Sequence, residues 1–148
     1  MLQDIGNTLS SAQAVTATAA STYVYDTHSG SIGGATRDIS GQDCPLWLNF
    51  TVNTTTVSAG STTMVITLES SAATALTSTT THWTSASIAK ATLVAGYQFS
   101  IPLPPGQYKR YVGARYTVAT ADFSAGAFTT HITDGVPAYT AYANNWAN

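Results

Sequence analysis

In YQFSIPLPPGQYKRYVGARYTV, residues 97–118, the apolar side chains of each half fall at every second position. Tyr97, Phe99, Ile101 and Leu103 alternate with Gln98 and Ser100, the period of two of a strand with one face buried and the other wet. Pro102 donates nothing to a ladder and argues for an edge position, and Pro104-Pro105-Gly106 sets a tight reversal. In the returning half Val112, Ala114, Tyr116 and Val118 share one face. Tyr111, Gly113, Arg115 and Thr117 share the other, where Gly113 leaves space for a neighbour. The stretch reads as two strands and their turn, half of a sandwich.

The same period recurs on both sides of it. Leu46, Leu48, Phe50 and Val52 oppose Trp47, Asn49, Thr51 and Asn53, and Met64, Ile66 and Leu68 oppose Val65, Thr67 and Glu69. These two runs, joined by the loop at 53–63, are expected to pair as a long hairpin. Phe128, Thr130 and Ile132 oppose Ala127, Thr129 and His131 in a last strand. Shorter strands are expected at Tyr23-Val24-Tyr25, ended by Asp26, and from Trp83 to Ile88. The segment 28–35 has the glycine content of a loop. The segment 70–81 either wanders over the surface or stacks against a partner.

Residues 1–22 hold only Leu2, Ile5, Leu9 and Val15 as bulky apolar residues, too sparse to line a strand, and Ser11-Ala12-Gln13-Ala14 offers at most a helical turn. They read as an extended N-terminal arm ordered only by contacts with other molecules. Residues 135–148 read as an uncharged aromatic C-terminal tail. Roughly eight short strands between turn signals, with no amphipathic helix, give an all-β domain: a jelly-roll-like antiparallel β-sandwich over residues 23–134.

A chain of 148 residues suits one such domain and needs no disulfide or metal to fold. Cys44 is the lone cysteine, so no intrachain bridge forms. Charged residues make up 8% of the chain, against ~25% in ordinary soluble domains, so the polar surface comes from Ser, Thr, Asn, Gln and backbone. Such a surface loses little hydration when pressed against a partner. A net charge of -2 leaves no electrostatic footprint for nucleic acid. The opening MLQDIGNTLSSAQAV has neither a basic n-region nor an apolar h-region, and no run approaches the ~18 apolar residues of a membrane span, so neither export nor membrane residence is expected.

No catalytic, metal or cofactor motif emerges. The acids Asp4, Asp26, Asp38, Asp43, Glu69, Asp122 and Asp134 are scattered, mostly at expected turns, with no spacing that marks an acid and base pair. His28, His82 and His131 lack metal-ligand spacing. Cys44, ahead of Pro45, has no adjacent base, and the two N-x-[ST] tripeptides at Asn49 and Asn53 matter only after export. Gly30 to Gly34 has no following helix and no lysine to hold phosphate. One constellation stands out: Lys109, Arg110 and Arg115 interleaved with Tyr108, Tyr111 and Tyr116. Such residues first of all guard a strand edge against aggregation; the further alternatives are a protein contact and, less in keeping with the small net charge, stacking on bases or sugars.

Several segments together resemble a known family: SAQAVTATAAS at 11–21, LWL at 46–48, FSIPLP at 99–104 and RYVGARY at 110–116. They are similar to the Bbp16-like capsid cement proteins of tailed bacteriophages. The resemblance runs from about residue 11 to 134, contains no catalytic signature and transfers no individual functional residue. It implies a decoration protein made in the host cytoplasm and carried on the outer capsid surface of the virion, where homotrimers clamp neighbouring major capsid protein subunits. No small-molecule substrate, cofactor, nucleic acid or membrane is then expected as a partner. The residues put forward for contacts are Leu2, Ile5 and Leu9 in the arm, Lys109, Arg110 and Tyr111 at the strand edge, and Tyr139, Tyr142 and Trp146 in the tail. The competing expectation is a carbohydrate-binding or adhesin-like sandwich stacking sugars on Trp47, Trp83 and Tyr111.

Overall fold

The alternating runs do become strands. The computed structural model describes residues 5–27, 36–40 and 45–134. A single 3-10 turn, Ile5–Asn7, leads into β1 (Thr8–Ala14), β2 (Ala19–Ala20), β3 (Tyr25–Asp26) and β4 (Thr36–Arg37). Then come β5 (Trp47–Val57), β6 (Thr63–Ser71), β7 (Thr80–Thr84), β8 (Ile88–Ala89), β9 (Gln98–Pro102), β10 (Tyr108–Lys109), β11 (Tyr111–Ala119) and β12 (Ala125–Thr133). Every pairing among them is antiparallel.

Sheet A runs β1-β12-β5-β9, and sheet B runs β2-β11-β6-β7 with β3 also on β11 and β8 also on β6; β4 and β10 form a separate ribbon. The chain changes sheet at most connections and stays in one only through β2 and β3 and again through β6, β7 and β8. First strand beside last, with two interleaved sheets, is the order of a jelly roll. The all-β sandwich expected from the sequence is therefore the fold.

The core lies between the sheets. Leu9, Leu48, Phe50, Val52, Phe128 and Ile132 of sheet A meet Met64, Ile66, Leu68, Val112, Ala114 and Tyr116 of sheet B, all buried. Phe50 sits among rings, 5.1 Å from Phe99, 5.4 Å from Phe128 and 6.4 Å from Tyr116 between centroids. A hydroxyl chain crosses this apolar layer: the Tyr116 phenol lies 2.5 Å from Ser10 Oγ and 2.7 Å from Thr130 Oγ1. Burial pushes the phenol's pKa up, so it remains a donor. Tyr116→Phe leaves both buried hydroxyls short of a partner and is expected to cost about 1–3 kcal/mol in denaturant unfolding. Adding Ser10→Ala and Thr130→Val should recover most of that loss, because groups that no longer exist need no partner.

Five expectations are corrected. Residues 97–118 do not form a hairpin: β9 lies in sheet A beside β5 and β11 lies in sheet B beside β6, so the proline turn carries the chain across the sandwich by way of β10. In the same way β5 and β6 belong to opposite sheets. A turn signal fixes where the chain reverses, not which strand receives it. The segment from Trp83 splits, with β7 and β8 both pairing with β6, and the strand expected at residues 23–25 is reduced to β3, of which Asp26 is a member.

The fifth correction concerns the N-terminal arm. Residues from Thr8 onward are part of the sandwich: β1 pairs with β12, Leu9 is 0% exposed and Val15 is buried too. Leu9 is therefore a core residue and not a contact for a partner. Register shifts between Thr8 and Ser10 and between Ser10 and Gln13 break the alternation, and Ala12 takes φ 44°. A strand so bulged presents no regular apolar face in its sequence. It is sealed instead by polar bonds, with Gln13 Nε2 donating to Ala20 O at 2.8 Å and Thr22 N donating to Gln13 Oε1 at 2.9 Å. The helical turn considered for Ser11 to Ala14 is likewise strand.

Pro102 behaves as read. β9 is the outer strand of sheet A, and Leu103 donates its backbone N–H to Leu46 O at 2.8 Å. Alternate residues thus point their N–H groups toward β5, and position 102, where an N–H is missing, points away. The proline costs no ladder bond and removes one donor from the free edge.

Candidate functional site

The basic and aromatic constellation divides once folded. Tyr108 and Tyr116 are fully buried. Tyr108 donates from its phenol to Pro104 O at 2.6 Å and stacks on His82 with centroids 3.8 Å apart. Burial, then the charge of Asp38, pushes this phenol up to about 12. His82 Nε2 lies 2.7 Å from Ser70 Oγ, a hydroxyl that also accepts the Lys109 backbone N–H at 3.0 Å. Desolvation first, and the Lys109 charge second, hold His82 below its ordinary 6.5. A Ser–His pair has the composition of a nucleophile and its base, but Ser70 is 0% exposed and inaccessible to a substrate. Its role is to tie β6, β7 and β10 together.

Two of the three basic side chains serve the chain's own loop between β6 and β7. Arg115 Nε reaches Glu69 Oε2 at 3.0 Å while its Nη2 donates to Leu76 O at 3.0 Å. Lys109 Nζ donates to Ser78 O at 2.9 Å, and Ser71 Oγ donates to Thr77 O at 2.5 Å. Three successive carbonyls are thereby held, in a loop where Leu76 and Ser78 take φ 49° and 51°. Gly113 explains how the loop lies so close: a Cβ there would stand 2.5 Å from Leu76 Cδ1 and 2.9 Å from Ser21 Oγ. The space foreseen beside Gly113 is filled by Leu76, which is buried. The segment thus folds back on sheet B.

Arg110 is left facing outward. Its Nη2 and Nε hold Asp26 at 3.0 and 3.1 Å, and its guanidinium carbon lies 5.0 Å above the half-buried Tyr111 ring. The Asp26 carboxylate, by hydrogen bond and then by charge, raises the Arg110 pKa further. The side chain is 51% exposed, so the pair is screened and does little for stability. The ion pair and the ring contact set guanidinium and phenol side by side on one outward face.

Of the other contact residues, Leu2, Tyr139, Tyr142 and Trp146 lie outside the described residues, as do His28 and Cys44, and Ile5 lies in the 3-10 turn. Trp47, Trp83 and Tyr111 share no platform for a sugar. Trp83 packs on the core with its ring 6.0 Å from Phe99, Trp47 lies on the outward side of sheet A and Tyr111 on the outward side of sheet B. Among the described residues no group of three or more His, Cys, Asp or Glu is placed to hold a metal ion, and no helix is long and apolar enough to cross a membrane. Sequence reasoning missed Asp26 and Leu76 as neighbours of the constellation. Each lies dozens of residues from the basic side chain it serves, with no local signal linking them.

A family model described as Bbp16 matches residues 9–132. The match begins at buried Leu9 in β1 and ends at Ile132 in β12, so it takes in both sheets. No curated protein matches the chain.

Proposed function

From the Bbp16 family, a phage-related family to which this chain belongs, we propose that the protein is a capsid cement protein. It acts without catalysis, as a homotrimer on the outer surface of a phage head, bridging neighbouring major capsid protein subunits. The observation that carries this reading is the family match along the whole sandwich, from first strand to last. The chain's chemistry agrees with it. A surface with few charges loses little hydration against a partner, and a trimer touching several subunits gains effective concentration at its second and third contacts. The Asp26–Arg110–Tyr111 surface is the contact best supported, since oriented arginine and tyrosine side chains tend to dominate interface energies.

The test compares heads with and without the protein for DNA release on heating. Decorated heads are expected to release at higher temperature, because a ligand bound only to the assembled shell stabilises it by mass action. Adding back Arg110→Ala or Tyr111→Ala should weaken binding to heads about tenfold or more, as for interface anchors, while leaving the isolated protein's unfolding transition nearly in place. Equal release temperatures for bare and decorated heads would sink the cement reading. Light scattering that gives a monomer mass at micromolar concentration would remove the trimer from it.

A further inference from the structure

His131 is the polar side chain that the fold encloses and then leaves alone. It is 7% exposed, and among the described residues neither ring nitrogen has a hydrogen-bond partner. The ring lies on the outward side of β12, in register with Thr8 of β1 on one flank and Asn49 of β5 on the other. Asn49 does not turn to it: the amide donates to Thr133 Oγ1 at 2.6 Å and accepts from Ser100 Oγ. Among the described elements, those whose backbones lie closest to β12 are β1, β5 and the 3-10 turn, and none of them contains an ionisable side chain. The nearest acid in sequence among the described residues is Asp134, which is exposed, while Asp4 and Asp43 lie outside the described residues. A neutral imidazole fits such a place at modest cost. An imidazolium there would be enclosed with neither nitrogen bonded to an acceptor among the described residues.

The two flanks differ in strength. The β5–β12 register runs unbroken from Val52↔Phe128 to Trp47↔Thr133, whereas β1 is an outer strand whose pairing shifts between Thr8 and Ser10 and again before Gln13. We propose that His131 is a proton-operated release for the N-terminal strand: charging the enclosed imidazole loosens β1 from β12 and leaves the β5–β12 ladder standing. This is independent of the capsid reading.

Desolvation places the folded His131 below its ordinary value of 6.5. The folded contribution is therefore complete above about pH 6.5, where both states are neutral, and is lost as pH falls toward the folded value, because the opened state takes up the proton first. Hydrogen exchange of the intact protein, wild type against His131→Gln at matched pH between about 5 and 7.5, cancels the intrinsic pH dependence. Opening of β1 in the wild type is expected to rise relative to the variant by about tenfold for each unit by which the imidazole is depressed, with β5 unchanged. His82→Gln should leave that response in place. A direct titration of the His131 ring by NMR needs no substitution, and so decides the matter even if the variant fails to fold. A ring that titrates at or above 6.5 overturns the proposal. So does a β1 ratio flat with pH, or an acid response that vanishes with His82→Gln.

Discussion

Phe50→Ala is expected to lower the unfolding free energy by about 3–5 kcal/mol, a large part of the ~5–15 kcal/mol that holds a domain of this size together. Phe50 is wholly buried, its register partner in β9 is Phe99, and it meets Phe128 within its own sheet and Tyr116 across the core. Truncation removes apolar area and also opens a cavity whose walls belong to both sheets and cannot collapse without pulling the sandwich out of register. Denaturant titration should show a lower midpoint at unchanged slope. A cost under about 1.5 kcal/mol would mean that the ring cluster closes over the gap, in the way loosely packed cores do.

Phe50 was legible because β5, β6, β9, β11 and β12 alternate without interruption over their central positions, and Pro102 marked β9 as an outer strand correctly. What alternation does not encode is sheet membership. The proline turn after β9 has the chemistry of a hairpin, yet it spans the gap between sheets. β1 was misread for a related reason: bulges spoil its period, and the group that seals Ser10 is a phenol 106 residues away. Basic side chains were equally ambiguous. Lys109, Arg110 and Arg115 look alike in sequence, but the carbonyls of Leu76 and Ser78 take two of them inward, and only Arg110 stays at the surface. In the sequence His131 is only a strand histidine without metal-ligand spacing, and its enclosure emerges once the register sets it between Thr8 and Asn49.

Arg115→Met should be the most costly change on the outward side of sheet B, at about 2–3 kcal/mol. Glu69 keeps only 7% of its side chain exposed, and without Arg115 its carboxylate retains a single described neutral donor, Thr67 Oγ1 at 2.9 Å. Arg115 itself is 30% exposed, which puts the loss below the ~3–5 kcal/mol seen when a fully enclosed pair is broken. Loss of the bond to Leu76 O should also make the loop between β6 and β7 the first site of proteolytic nicking. Pairing the change with Glu69→Gln should restore part of the stability, and the double-mutant cycle measures the coupling directly. A single-mutant cost under about 0.5 kcal/mol would place the pair among ordinary surface ion pairs.

The neighbourhood of β1 and β12 also sets when the protein becomes a protein at all. The Ala12 N–H to Thr129 Oγ1 bond spans 117 residues, and β12 separates β1 from β5. While the chain is being synthesised, β1 has no strand to lie against, and β5 has only β9 beside it once that strand has emerged. Leu48 and Phe50 lack the strand on their β12 flank until it leaves the ribosome. Folding then waits for β12 and is dominated by distant pairings, in the millisecond-to-second class of β-rich topologies. During that wait a nascent chain is most exposed to its neighbours on the same message. Slowing translation upstream of β12 should therefore increase aggregation without changing the stability of the molecules that do fold.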